Sequence, residues 1–178
     1  MEKSTSSQTT MIIIALGSNK SFCGQPPGEI IVKAMNALAD FGTGQKRSGL
    51  YLSPAWPDPS EPPYVNAVTA FDQSHHTPEE MLAALHTIED GFGRERAYRQ
   101  NPSLRYAPRT LDLDLIAFHG ERRANGPNGL HLPHPALSRR DFVLLPLQDI
   151  VPSWQHPESS LSVDEMISAL PQVTATRI

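Results

Sequence analysis

The chain has 178 residues, 39% of them apolar, and a formal net charge of −4 at pH 7. This length fits one domain, and the composition allows it to bury a core. The mild acidity excludes a globally basic surface for DNA, RNA or anionic membranes, and a single cysteine, Cys23, excludes an internal disulfide and a cysteine-rich zinc site.

The N-terminal stretch is polar and rich in serine and threonine, and it lacks the apolar centre of a signal peptide. We expect residues 1–10 to be a disordered lead-in and residues 11–178 to form the single domain. No segment has the length of a membrane span. The expected protein is a cytoplasmic monomer that binds neither nucleic acid nor membranes.

The first half of this domain alternates predicted strands and one helix. An isoleucine-rich run over 11–16 predicts a buried strand that ends in a G-S-N turn. Apolar residues at helical spacing predict a helix over 27–41, and a strand is predicted over 45–52.

A proline-rich segment follows at 53–63 and cannot form regular structure, because proline fixes φ and lacks an N–H donor. Loops of this length in compact domains tend to be functional. Within it, Trp56 either offers an exposed stacking surface or packs onto the core.

Alternation then predicts a strand over 64–71. Thr77, Pro78 and an acidic first turn predict a helix that ends near residue 91. An arginine-rich loop leads into a strand over 110–118, and short helical segments are predicted between residues 135 and 170. The order β-α-β-β-α-β with a C-terminal extension indicates an α+β, ferredoxin-like antiparallel sheet with helices on one face, whose other face the extension could cover.

The strand over 110–118 carries the most informative pattern, because leucines alternate with Asp112 and Asp114. Both carboxylates therefore share one face, about 7 Å apart along the strand. Hard oxygen ligands favour Mg²⁺, and upstream arginines favour a metal bound together with phosphates. Those arginines are Arg94, Arg96, Arg99, Arg105 and Arg109. Alternatively, the two aspartates are the polar face of a half-exposed strand.

Six motifs occur in order: A-L-G-S-N at 15–19, Y-x-x-P at 51–54, Y-x-N at 64–66, I-E-x-x-x-G-R-x-R at 88–96, P-R-T-L-D-L-D at 108–114 and L-P-H at 132–134. Together they resemble the 6-hydroxymethyl-7,8-dihydropterin pyrophosphokinase family. The resemblance implies a ferredoxin-like αβα sandwich. It also implies transfer of the pyrophosphoryl group of ATP to the pterin hydroxymethyl oxygen, giving AMP and the pterin pyrophosphate in folate biosynthesis.

The resemblance also implies roles for single residues. Asp112 and Asp114 would hold two Mg²⁺ ions, with Arg94 and Arg109 as catalytic phosphate clamps. The implied ATP-binding positions are His86, Glu89, Arg94, Arg96, Arg109, His134 and Arg140. Alternatively, His86 and Glu89 are plain surface, His134 is structural, and Arg139 takes the place of Arg140. Arg99 and Arg105 could simply solvate their loop.

The implied pterin-binding positions are Ser53, Pro54, Trp56, Tyr64, Asn66, Asp112 and Phe142. Tyr64 and Phe142 would sandwich the flat ring, and Asn66 would read its edge with both its donor and its acceptor. Phe142 could instead pack in the core. Two positions depart from the family pattern, which often has an aromatic residue at Pro135 and tryptophan at Tyr106.

Other functions fit parts of the pattern. A metal-dependent nucleotide phosphohydrolase could use the same carboxylates, and a non-catalytic RNA-binding module could share the fold but would need a basic surface. An inactive domain is disfavoured because the acid pair and both main arginines are present. For the pyrophosphokinase, the loops 53–63 and 92–108 are expected to act as lids that order when ATP binds.

Overall fold

The computed structural model describes residues 10–96, 101 and 106–178. The strands are β1 (Ile12–Ser18), β2 (Lys46–Arg47), β3 (Tyr51–Ser53), β4 (Tyr64–Phe71), β5 (Asp112–Phe118) and β6 (Thr176–Arg177). The helices are α1 (Pro27–Ala37), α2 (Pro78–Gly91), α3 (Asp141–Ile150) and α4 (Val163–Ser168). Within these ranges, no helix is both long and apolar enough to cross a lipid bilayer.

The sheet is antiparallel throughout, with the strand order β5-β1-β4-β3-β6 and with β2 also pairing with β4. The strand predicted over 45–52 is therefore divided into two short strands, β2 and β3, which both pair with β4. The break lies at Ser48, whose hydroxyl oxygen accepts the Val68 N–H at 2.9 Å in place of a backbone carbonyl. With β2 and β3 counted together, this is the predicted ferredoxin-like order.

Helix starts follow their local signals. Thr77 caps α2 through a capping box with Glu80, and Pro78 occupies the first turn, as predicted. Helix α1 ends at Ala37, earlier than predicted, and the chain continues in a 3₁₀ turn over Ala39–Phe41.

Both faces of the sheet are covered, which confirms the αβα sandwich. Ile12 and Ile14 of β1 pack with residues of α1 and α2, whereas Ile13 and Ala15 belong to a second cluster with α3 and α4. Burial on both faces explains why β1 reads as a continuous apolar run instead of an alternating one.

The C-terminal extension covers its face of the sheet only in part. Its cluster includes Ala15 of β1, but the next β1 residue on that face is Gly17. Gly17 lies in register between Asn66 of β4 and Asp112 of β5. Polar side chains therefore collect at the end of the sheet beyond α3, and the candidate site is built there.

Candidate active site

Asp112 stands at the start of β5 and contacts two arginines. Arg94 Nη2 donates to Asp112 Oδ1 at 3.1 Å, and Arg109 Nη1 donates to Asp112 Oδ2 at 2.5 Å. The Arg94 side chain is buried, whereas Asp112 remains partly open. Of the arginines upstream of β5, Arg94 and Arg109 therefore contact the Asp112 carboxylate directly.

Asp114 is two residues further along the same face and contacts a third arginine. Arg140 Nη1 donates to Asp114 Oδ2 at 2.8 Å, whereas Arg139 is exposed on the preceding turn. Of the two alternatives, it is therefore Arg140 that reaches the carboxylate.

His134 lies beside this second pair, with Nε2 at 4.0 Å from Asp114 Oδ2. Its Nδ1 accepts the Ala136 N–H at 3.2 Å. Burial lowers the pKa of His134, although the charge of Asp114 opposes that shift. The ring is accordingly neutral at pH 7 and places an N–H on the side facing Asp114.

The donor set of the acid pair fits a divalent cation shared with a substrate. Asp112 and Asp114 offer hard oxygen ligands, and within the described residues no cluster of three or more histidine, cysteine or acidic side chains could hold a metal. Mg²⁺ in proteins is usually bound by one or two carboxylates together with phosphates and water. The arrangement therefore suits a metal that arrives with a phosphorylated ligand better than a permanently caged ion.

Glu89 is not a surface residue, since only 4% of it is exposed. Its Oε1 accepts the Leu113 N–H at 2.7 Å, and its Oε2 pairs with Arg96 at 2.5 Å. Burial raises the pKa of Glu89 to about 7, against the lowering effects of the Leu113 N–H and Arg96. Because β5 is an edge strand, Glu89 supplies the partner that a neighbouring strand would otherwise provide between the two aspartates.

His86 lies one turn earlier on α2 and is partly exposed. Its position beside Glu89 keeps it on the same side of the helix. Contact of either residue with ATP remains a prediction.

The predicted pterin-reading amide, Asn66, is buried in the sheet. Its Nδ2 donates to Ser53 Oγ at 2.9 Å and to the Tyr64 carbonyl at 3.3 Å. Its acceptor, Oδ1, lies toward Gly17, and contact of Asn66 with the pterin edge remains a prediction. A Cβ at Gly17 would come within 3.5 Å of this oxygen and 3.7 Å of the Tyr64 ring.

The two predicted stacking residues stand on different elements. Tyr64 begins β4 and is half-buried, and burial raises its pKa. Phe142 lies in the first turn of α3, packs partly against the second core cluster, and has the Arg140 guanidinium 5.7 Å from its ring centre. Core packing accounts for part of the Phe142 ring, and its stacking role remains a prediction.

The aromatic residues of the loops meet outside the core. Trp56 is 72% exposed, so the alternative that it packs onto the core is wrong. Its ring lies edge-on to Tyr106, with centroids 5.1 Å apart and an interplanar angle of 88°. Pro54 is exposed beside the buried Ser53. The predictions for Arg99 and Arg105 lie outside the described residues.

Asn19 has a role that sequence reasoning missed. Its Nδ2 donates to the Pro62 carbonyl at 2.9 Å, and its Oδ1 accepts the Arg109 N–H at 2.7 Å. It therefore ties the end of β1 to the proline-rich loop and to the residue that contacts Asp112. The G-S-N turn was visible in the sequence, but partners 43 and 90 residues away leave no local signal.

Comparisons with known proteins identify the family of this chain. A family model described as 7,8-dihydro-6-hydroxymethylpterin-pyrophosphokinase matches residues 13–152. A curated relative from Synechocystis, named 2-amino-4-hydroxy-6-hydroxymethyldihydropteridine pyrophosphokinase, is 37% identical over 93% of this chain and 77% of its own. A relative of the same name from Pseudomonas aeruginosa is 35% identical over 90% of this chain and 91% of its own.

Solved structures support the fold. The wild-type HPPK-DHPS of Plasmodium falciparum matches 90% of this chain with a TM-score of 0.62 at 12% identity. This chain spans less than half (44%) of that longer protein, so the likeness concerns the architecture alone. The family model covers most of the chain, and the curated relatives agree with it. The chain belongs to the 7,8-dihydro-6-hydroxymethylpterin-pyrophosphokinase family.

Proposed function

We propose that this chain transfers the pyrophosphoryl group of ATP to the hydroxymethyl oxygen of 6-hydroxymethyl-7,8-dihydropterin, giving AMP and the pterin pyrophosphate. Membership of the family and relatives named as pyrophosphokinases make it a diphosphokinase of folate biosynthesis with ATP as co-substrate. The observation that carries the residue-level account is the acid pair, Asp112 and Asp114, with arginines on each carboxylate.

Pyrophosphoryl transfer requires positioning and charge neutralisation more than covalent help from the protein. In this proposal Asp112 and Asp114 would hold Mg²⁺ together with the phosphates, and the ion would supply charge neutralisation and Lewis-acid activation of the attacking hydroxyl. Arg94, Arg109 and Arg140 exchange their carboxylate partners for phosphate oxygens, which a guanidinium binds bidentately.

The pterin is held on the polar end of the sheet. Tyr64 and Phe142 lie against its two flat faces, and Asn66 Oδ1 accepts a hydrogen bond from its edge. Ser53 fixes the Asn66 amide in this orientation, because its hydroxyl oxygen accepts the Nδ2–H. Trp56 and Tyr106 close over the ring from the two loops.

The proposal has further parts. It includes two Mg²⁺ ions, a monomer, a cytoplasmic location, and a single domain over 11–178 after a lead-in over 1–10. The presence of two carboxylates on one strand face supports the metal pair, since each could provide a ligand to one ion.

The experiment is AMP formation from ATP and Mg²⁺, measured with and without 6-hydroxymethyl-7,8-dihydropterin. We expect AMP and the pterin pyrophosphate to appear in equal amounts, and only when the pterin is present. Pterin-independent release of phosphate or pyrophosphate would instead indicate the phosphohydrolase, and no AMP under any condition would contradict the proposal.

A further inference from the structure

The end of the chain, residues 174–178, packs against the elements that carry the pterin site, although the family match ends at residue 152. Strand β6 pairs with β3 through Thr176 with Leu52 and Arg177 with Tyr51. The Ile178 N–H continues the ladder by donating to the Leu50 carbonyl at 3.0 Å. This segment, which we name the C-terminal strap, therefore covers the outer edge of β3.

The strap is anchored by a buried carboxylate at the start of α3. Asp141 is 7% exposed, and its Oδ2 accepts the Thr174 N–H at 2.5 Å, the Thr174 hydroxyl at 2.9 Å and the Ala175 N–H at 2.8 Å. Its Oδ1 accepts the Phe142 N–H at 2.7 Å. Burial alone would raise the pKa of Asp141, but these hydrogen bonds hold it below its usual value, so the group is ionised at neutral pH.

A second tie lies at the other end of α3. The Tyr51 hydroxyl donates to Asp149 Oδ1 at 3.0 Å, and Arg177 Nη1 lies 3.7 Å from the same oxygen. The strap is thus attached to both ends of α3 and to β3. It joins β3 to α3 in addition to the direct hydrogen bond between Tyr51 and Asp149.

Two of these attachments, at Asp141 and at β3, adjoin residues of the proposed site. Asp141 lies between Arg140, which contacts Asp114, and Phe142, whose ring is proposed to stack on the pterin. Strand β3 ends in Ser53, which holds the Asn66 amide. A change in the strap therefore reaches the Phe142 side of the site through α3 and the Asn66 side through β3.

We propose that the C-terminal strap, anchored by the Asp141 carboxylate, is a positioning element that sets the separation and orientation of the two sides of the pterin site. Asp141 itself points at the strap and is a positioning residue that does not touch substrate. The inference rests on the proposed function, because it assigns the strap to the site for that substrate.

The test is D141N, in which an amide N–H₂ replaces an oxygen that meets backbone donors. We expect the pterin KM to rise about 10-fold, since small displacements of positioning groups are costly. The ATP KM should rise less, because Arg94 and Arg109, which contact Asp112, lie on neither α3 nor β3. D164N is the matched control, since Asp164, on α4, accepts an exposed hydrogen bond from Gln148 Nε2, and its substitution should leave both constants unchanged.

T174V provides a second variant in case D141N folds poorly. It removes only the hydroxyl hydrogen bond and keeps both backbone donors, so a rise in pterin KM between those of the wild type and D141N is expected. Folding is checked by circular dichroism at the assay temperature.

The outcomes separate this inference from the proposed function. Folded D141N or T174V with the wild-type pterin KM would overturn the strap proposal while leaving the function intact. A wild-type protein that forms no AMP with the pterin would overturn the function first. A merely structural strap would lower thermal stability and leave the KM values of the folded variants unchanged.

Discussion

At the scale of single residues, three arginines contact the two aspartates of the acid pair. Asp112 contacts Arg94 and Arg109, and Asp114 contacts Arg140. In the proposed function these arginines bind phosphate oxygens. The Arg94 side chain is buried, so leaving its guanidinium without a partner would be costly. Exchange of a carboxylate partner for a phosphate partner keeps the guanidinium paired.

Arg140→Ala and Arg139→Ala together test which of the two adjacent arginines is needed for activity. Arg140→Ala removes the guanidinium that contacts Asp114 and lies over Phe142, and we expect kcat/KM for pterin-dependent AMP formation to fall about 100-fold. The neighbouring Arg139→Ala, at an exposed position, should stay close to the wild type. If Arg139→Ala proved the more damaging change, the assignment of Arg140 would be wrong.

Gly17→Ala tests the floor of the proposed pterin site. The new methyl group would meet Asn66 and Tyr64 at ordinary contact distances, and alanine is favoured over glycine within a strand by about 0.5–1 kcal/mol. We therefore expect unchanged or higher thermal stability but a pterin KM raised about 10-fold, comparable to the effect of one methylene in a binding pocket. An unchanged KM would mean that the pterin does not lie over Gly17.

Sequence reasoning reached some of these residues and missed others for a physical reason. Alternation in a strand is a local property, so the shared face of Asp112 and Asp114 could be predicted. The buried position of Glu89 could not be predicted, because the periodicity of a helix does not show which backbone N–H will donate to a carboxylate. Asn19 and Asp141 were missed for the same reason, since their partners are distant in sequence.

At the scale of elements, the Asp141 carboxylate anchors the strap at the start of helix α3, and the Arg177–Asp149 contact lies at the other end. The folded state lowers the pKa of Asp141, so its contribution to stability is complete above its unfolded pKa and is lost as the pH falls through the folded value. With an unfolded pKa of about 3.9, the contribution should be full at neutral pH and fade below about pH 4.

Urea unfolding of the wild type and D141N across acidic pH checks this linkage. Hydrogen bonds to a buried charge contribute about 1.5–3 kcal/mol, so the variant should lose about 2 kcal/mol in free energy of unfolding near neutral pH. That difference should shrink below about pH 4, where the wild-type carboxylate becomes protonated. A difference that is constant throughout acidic pH would refute the assigned hydrogen bonds.

The elements with strong local signals were predicted well, and those that depend on distant partners were not. The strand over 64–71 has the predicted bounds, and α2 starts at the predicted cap. The strand predicted over 45–52 is interrupted because the Ser48 hydroxyl, and not a backbone carbonyl, accepts the Val68 N–H. Strand β6 is two residues long and has no sequence pattern that predicts a strand. Its contacts are with β3 and, through the preceding residues, with Asp141, which are distant in sequence.

At the scale of the whole molecule, incomplete coverage of one sheet face leaves room for the candidate site, and Trp56 of the proline-rich loop contacts Tyr106. Asn19 joins β1 to the proline-rich loop and to Arg109, which follows the second loop. The lid hypothesis can therefore be followed by fluorescence, since the chain has two tryptophans, Trp56 exposed and Trp154 buried.

Addition of Mg²⁺ and a non-hydrolysable ATP analogue should shift the tryptophan emission as the loops close. Trp154→Phe should keep the shift and Trp56→Phe should abolish it, because only the loop tryptophan changes its environment. An identical shift in both variants, or none in Trp154→Phe, would contradict loop closure on nucleotide binding.

The most direct measurement is pterin-dependent AMP formation as a function of Mg²⁺ for the wild type, D112N and D114N. The account predicts that the wild type forms AMP only when both the pterin and Mg²⁺ are present. Each variant should turn over at least about 100-fold more slowly at every Mg²⁺ concentration. Near-wild-type turnover by either variant, or pterin-dependent AMP formation in excess EDTA, would contradict the assignment of Asp112 and Asp114 as the metal-binding centre of the transfer.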